Sequence, residues 1–174
     1  MRFEWYFEPE TVAECTQLLE EYGPDAKVLA GGTDLVIRMR ARMVKPRAIV
    51  SLNNIKELGR MQKTAEGITI GCMCRLMDVS KSDLLQGPWK VVAQGAGHVS
   101  SLQVRNIATL GGNTCNASPS ADTIPGLMIL DAEAMIAGPK GERSVPLCEF
   151  FAGPGKTVLE RGEMLTGFFV PNFG

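Results

Sequence analysis

Histidine is nearly missing from this chain: His98 is the only one in 174 residues. A Ser-His-Asp or Cys-His nucleophile would rest on that one ring, with no acid near it in sequence, so His98 reads as structural or surface. Long apolar runs are missing too. None approaches the ~20 residues of a membrane span, and Met1 leads into Arg2-Phe3-Glu4-Trp5 without the apolar stretch of a signal peptide. The sequence therefore reads as cytoplasmic. There is no contiguous Lys/Arg block and the formal net charge is -1, which argues against a nucleic-acid partner. The five cysteines, Cys15, Cys72, Cys74, Cys115 and Cys148, are odd in number and scattered, which suits a reducing compartment better than a disulfide framework. Cys72-Met73-Cys74 is too tight for zinc-ribbon or iron-sulfur spacing. No intrinsic metal site is expected, and the thiols read as small core residues.

The length allows one substantial core or two small lobes. Thr11, with Glu14 three residues on, opens a helix as a capping box; Val12, Cys15, Leu18, Leu19 and Tyr22 share its inner face, and Gly23-Pro24 ends it. Lys27 to Ala30 reads as a short strand. After Gly31-Gly32, Leu35, Val36, Met39 and Met43 resume helical spacing, with Thr33 or Asp34 placed to cap, and Ala48 to Leu52 is a strand. This β-loop-helix-β unit favours parallel pairing. Beyond Asn53-Asn54 the pattern changes. A strand at Gly67 to Gly71, a mostly helical stretch from Leu76 to Val99 broken at Gly87-Pro88, a hairpin around Gly138 to Gly141 and a last strand from Leu165 to Val170 give a lobe of short antiparallel strands. The fold class is thus α/β followed by α+β, with lobes at 1–55 and 56–174.

Two loops carry the chemistry. Leu29-Ala30-Gly31-Gly32-Thr33-Asp34 lies between a strand end and a helix start, where free amides and the helix dipole favour phosphate; its plain alternative is a tight strand-to-helix turn. Thr109-Leu110-Gly111-Gly112-Asn113 repeats the composition, with a bulged loop as its alternative. Two surfaces without side-chain bulk could close on one dinucleotide. Thr109 and Asn113 could bond phosphate or flavin ring atoms, and Asp122 could accept from ribitol or ribose hydroxyls or cap a helix at Thr123-Ile124-Pro125.

Other motifs fail. Gly153-Pro154-Gly155-Lys156-Thr157 ends like a Walker A loop, but the required first glycine is Phe150. Gly95-Ala96-Gly97 starts like a Rossmann fingerprint, yet Ser100 stands at the third glycine and no strand precedes it.

Lys27-Val28-Leu29-Ala30-Gly31-Gly32-Thr33-Asp34-Leu35, Gln103-Val104-Arg105-Asn106, Ala108 to Asn113 and Ser118-Pro119-Ser120-Ala121-Asp122 together resemble the FAD-binding (medium) subunit of the molybdenum hydroxylases, a family that includes xanthine and carbon monoxide dehydrogenases. The resemblance is collinear from the first helix to Val170-Pro171. It implies a two-lobed FAD-binding domain of the vanillyl-alcohol-oxidase (PCMH) type, with the cofactor between lobes. In that family the segment matching Lys27, Val28, Leu29, Ala30, Gly31, Gly32, Thr33 and Asp34 holds the pyrophosphate. The segment matching Thr109, Leu110, Gly111, Gly112 and Asn113 contacts pyrophosphate and flavin, the Asp122 position reaches the cofactor's sugar or ribitol, and the position of Met164-Leu165 lies against flavin or adenine. Phe150 to Thr157 looks most like bacterial xanthine dehydrogenases.

The resemblance further implies an oxidoreductase subunit in which electrons cross [2Fe-2S] clusters on a small subunit, coming from molybdopterin on a large one, and leave through FAD to NAD or another acceptor. No side chain of this chain is then a catalytic acid, base or nucleophile. Family members normally continue with a C-terminal α+β domain, and this chain stops where that domain would begin. The expectation is incomplete FAD binding, little competence alone, and exposed apolar surface around Phe168, Phe169 and Phe173. The alternatives are a stand-alone flavin oxidoreductase of the same fold, or a non-catalytic scaffold that has lost the flavin.

Overall fold

The computed structural model describes residues 3–172. Two sheets carry the fold. In the first, β1 (Trp5–Phe7), β2 (Ala26–Leu29) and β3 (Ala48–Ser51) run parallel in the order β1-β3-β2. β3 is central and every residue of it is buried, as its unbroken apolar run requires once both faces are covered. Helix α1 (Val12–Tyr22) packs on this sheet through Cys15, Thr16 and Leu19. The Thr11 hydroxyl accepts from the Glu14 amide at 3.2 Å. The Glu14 carboxylate accepts from the amide of Glu10, one residue before the cap, at 2.9 Å. Gly23, at φ +51°, ends the helix in a conformation that side chains disfavour.

Helix α2 (Leu35–Arg40) bridges β2 and β3. The second sheet is antiparallel: β4 (Met61–Lys63), β5 (Gly67–Gly71), β6 (Glu133–Gly138), β7 (Gly141–Pro146) and β10 (Met164–Pro171), with β10 at its centre between β5 and β6. A small hairpin of β8 (Phe151–Gly153) and β9 (Lys156–Thr157) stands apart. Between β5 and β6 lie α3 (Leu76–Ser80), α4 (Lys90–His98), α5 (Leu102–Arg105), α6 (Leu110–Cys115) and α7 (Ile124–Met128). One continuous hydrophobic cluster, including Val50, Ile68, Leu127 and Phe168, joins the sheets and helices. Arg161 adds a tie by donating from Nε and Nη2 to the Glu20 carbonyl at the end of α1.

Several expectations need correction. Trp5–Phe7 is a strand that the sequence pattern did not suggest, because its aromatics are exposed or half-buried at an edge. Thr109 to Asn113 is not a bulged loop but the cap and first turns of α6. Neither Thr33 nor Asp34 caps α2 with its side chain; Asp34 occupies the cap position in αR geometry. Phe168 is fully buried and Phe169 half-buried, because β10 is a central strand rather than an uncovered edge. Phe173 lies outside the described residues. Among the described residues, no helix is long and apolar enough to cross a membrane.

Candidate cofactor-binding site

The two glycine loops meet. Gly31 faces the backbone of Ile107 and Ala108 with no room for a Cβ, which would collide with the Ile107 carbonyl. Gly111 is equally constrained: a Cβ there would lie 2.5 Å from the Cys72 Cβ. The entry to α6 is further tied down by hydrogen bonds from the Leu110 amide to the Cys74 carbonyl at 2.9 Å and from the Gly111 amide to the Cys72 carbonyl at 2.8 Å. One glycine of each pair is therefore a packing residue, and close approach is what sets the turns side by side.

The second glycine of each pair does different work. Gly32 takes φ +73°, which turns the chain from β2 into α2 and leaves the amides of Gly32, Thr33, Asp34 and Leu35 without an acceptor among the described residues. Unpaired amides at a helix start suit an anionic oxygen. The Gly112 amide donates to its cap, the Thr109 hydroxyl, at 3.1 Å. A Cβ on Gly112 would meet that hydroxyl at 2.9 Å and otherwise only Ala30, at 3.7 Å. The side-chain amide of Asn116 reaches Asp34 Oδ1 at 3.5 Å across the two turns.

Around these turns opens a cleft of about 640 Å³, within the range that holds cofactors. Of the residues singled out from sequence, Val28, Ala30, Gly31, Gly32, Thr33, Asp34, Thr109, Gly111, Gly112, Asn113, Asp122, Met164 and Leu165 line it. Three do not. Successive strand residues point to opposite faces, so Lys27 is exposed away from the cleft and Leu29 lines a neighbouring cleft of about 710 Å³ instead. Leu110 is fully buried in the core.

The hydrogen bonds narrow the roles. The Thr109 hydroxyl caps α6 and the residue is only 3% exposed. Asn113 Oδ1 accepts from the Thr123 hydroxyl at 2.6 Å, which leaves its NH₂ group to donate outward. Asp122 is exposed and the cap position of α7 falls to Thr123, so the carboxylate is not a helix cap. What holds Asp122 at the cleft is Gly95 of α4: a Cβ there would lie 2.6 Å from the Asp122 carbonyl oxygen. Gly95 thus has a packing reason unrelated to dinucleotides, whereas a Cβ on Gly97 would meet only Ser80, at 3.7 Å.

Residues outside the sequence selection complete the walls. Val99 and Ser100, from the turn between α4 and α5, and Val104 of α5 form one part, and Leu159 and Glu163 join Met164 and Leu165 in another. Glu163 is gripped by Arg143, whose Nε and Nη2 donate to its two oxygens at 2.7 Å each. That fork holds the Glu163 carboxyl below the usual carboxylate range. Glu163 adjoins the Met164-Leu165 pair in sequence, but its role depends on Arg143 twenty residues away, which no local pattern shows.

Burial pushes the Cys15 thiol up to about 12 and Cys74 to about 11, so both stay protonated in the core. No group of three or more His, Cys, Asp or Glu side chains converges among the described residues. The site offers open amides, hydrogen-bond groups and apolar walls.

The family described as FAD binding domain in molybdopterin dehydrogenase matches residues 1–173. This chain belongs to that family. It is 36% identical over 173 residues to the carbon monoxide dehydrogenase medium chain of Hydrogenophaga pseudoflava, covering 99% of this chain and 60% of that one. Identity is 35% over 170 residues to the xanthine dehydrogenase FAD-binding subunit of Escherichia coli O157:H7, covering 97% and 58%. Among solved structures, carbon monoxide dehydrogenase from Hydrogenophaga pseudoflava superposes with a TM-score of 0.95 at 34% identity, covering 100% of this chain and 60% of that chain. Quinoline 2-oxidoreductase from Pseudomonas putida 86 does so at 0.92 and 31%, covering 98% and 60%. The chain spans about 60% of the length of these relatives. Its fold is therefore the mixed helix-and-sheet FAD-binding domain of the PCMH type, and FAD is the family's cofactor.

Proposed function

We propose that this chain is the FAD-holding part of a molybdopterin-dependent hydroxylase or dehydrogenase of the xanthine dehydrogenase type, working in the cytoplasm as an electron-transfer subunit. Electrons enter from [2Fe-2S] clusters of a small subunit, which draw them from substrate oxidation at molybdopterin on a large subunit, and leave to NAD or another acceptor. FAD, when bound, supplies the redox chemistry that links these one- and two-electron partners. This chain's residues bind, orient and shield.

The observation that carries the reading is that two glycine turns, packed side by side, open onto one cleft. The cleft fits the group: unpaired amides at Gly32 to Leu35 suit a pyrophosphate, Asp122 can accept from hydroxyls of the ribitol or ribose, and the Asn113 NH₂ group can donate. Met164 and Leu165 supply apolar surface for an aromatic ring system. Lys27, Leu29 and Leu110, whose side chains face elsewhere, support this site through the backbone they hold in place.

Two measurements test it. FAD titration of the purified chain, followed by flavin fluorescence, should show saturable binding. Affinity purification from the source cells should recover a molybdopterin-binding large subunit and an iron-sulfur small subunit. A colourless chain that takes up no FAD and recovers neither subunit would favour the scaffold alternative.

A further inference from the structure

Arg105 does not line the cofactor cleft, yet it touches the cleft wall from behind. From the last position of α5, its Nη1 donates to the Val99 carbonyl at 2.9 Å and to the Ser100 carbonyl at 2.8 Å. Val99, Ser100 and Val104 all line the cleft, whereas Arg105 lines a separate groove formed by α3, α4 and α5. One guanidinium thus satisfies two consecutive carbonyls of the turn that joins α4 to α5.

That turn needs support. Ser100 takes φ +48°, the left-handed region in which a side chain is disfavoured. A non-glycine residue persists there only when its surroundings over-determine the conformation. The Ser101 hydroxyl accepts from the Val104 amide at 3.4 Å, a long contact that holds α5 but not Ser100. Arg105 has no carboxylate within ion-pair distance among the described residues. Its Nε is buried without a hydrogen-bond partner, a cost that the two carbonyl bonds offset.

We infer that Arg105 is a positioning residue for cofactor binding: it holds Ser100 in its left-handed conformation and so fixes the Val99–Ser100 wall of the cleft. The inference rests on the FAD reading above. It predicts a specific coupling, since glycine at position 100 removes the strain that Arg105 opposes.

The test is equilibrium FAD titration of wild type, Arg105→Gln, Arg105→Lys, Ser100→Gly and the Ser100→Gly/Arg105→Gln double variant, read beside visible circular dichroism of bound flavin and thermal melts. Arg105→Gln should bind FAD ~10-fold more weakly, with an altered visible dichroism spectrum. Arg105→Lys, which keeps a charged donor, should fall between it and wild type. In the Ser100→Gly background, Arg105→Gln should weaken FAD only ~2-fold, about 5-fold less than it does in the wild-type background. Should Arg105→Gln fail to fold, Arg105→Lys and its Ser100→Gly double variant make the same comparison. Wild-type affinity and dichroism in the Arg105 variants, or the same loss in the Ser100→Gly background, would overturn the inference. A wild-type chain that binds no FAD would instead overturn the cofactor reading and this inference with it.

Discussion

The α-carbon of Gly31 lies against the carbonyl of Ile107, so close that no side chain fits between them. This contact joins the turn after β2 to the segment entering α6, and it places both glycine turns on one cleft. Gly31→Ala must push two backbones apart, with no flexible side chain to give way. The expected loss is about 3 kcal/mol of unfolding free energy, within the range for such forced rearrangements. Gly111→Ala should cost about 2 kcal/mol, because the collision with Cys72 outweighs the roughly 1 kcal/mol that alanine gains over glycine in a helix. Urea denaturation of both variants checks this; stability at or above wild type in either would show that the turns are not so constrained.

Asp122 makes the opposite prediction. Its carboxylate is exposed and caps no helix, so Asp122→Ala should leave the melting temperature nearly unchanged. Loss of one charged acceptor toward a hydroxyl should weaken FAD by about one to two decades, equivalent to ~1.5–3 kcal/mol. A lower melting temperature with unchanged FAD affinity would assign Asp122 a structural role instead.

The Arg143–Glu163 fork sets a pH dependence. Because Arg143 lowers the Glu163 pKa in the folded chain, the pair's contribution is fully present above the ordinary carboxylate range. It is lost as the pH falls through the lowered folded value. Glu163→Gln should therefore destabilise the protein at neutral pH and flatten the acid side of its stability curve. Urea midpoints measured from pH 7 to pH 3 read this directly, and parallel curves for wild type and variant would contradict it.

Much of this architecture is legible in the residues. The capping Thr11 and the apolar face of Cys15 and Leu19 mark α1 because their signals lie within a few residues of one another. The hairpin from Glu133 to Pro146 is visible for the same reason. The edge strand Trp5–Phe7 is not, since its exposed aromatics carry no alternation and its pairing with β3 spans some forty residues. Leu110 to Cys115 is a poor helix by propensity, containing two glycines, an asparagine and a threonine. Its helicity comes from the Thr109 cap and from bonds to Cys72 and Cys74, which are tertiary. The site shows the same division: both glycine pairs are visible, but which glycine packs and which faces the cleft is decided by Ile107 and Cys72. Arg105 and Glu163 act through carbonyls and a guanidinium that only the fold brings to them.

The central claim is that the second glycine of each turn, Gly32 and Gly112, borders bound FAD. The most direct measurement is equilibrium FAD titration of wild type, Gly32→Val and Gly112→Val by flavin fluorescence, with far-ultraviolet circular dichroism of each protein. A branched side chain at Gly32 opposes φ +73° and crowds Leu29 and Val36, and at Gly112 it displaces the Thr109 hydroxyl, so each reshapes the turn that borders the cofactor. The account predicts saturable FAD binding by wild type and none by either variant, with all three chains retaining their secondary structure. Wild-type FAD affinity in both variants would contradict it.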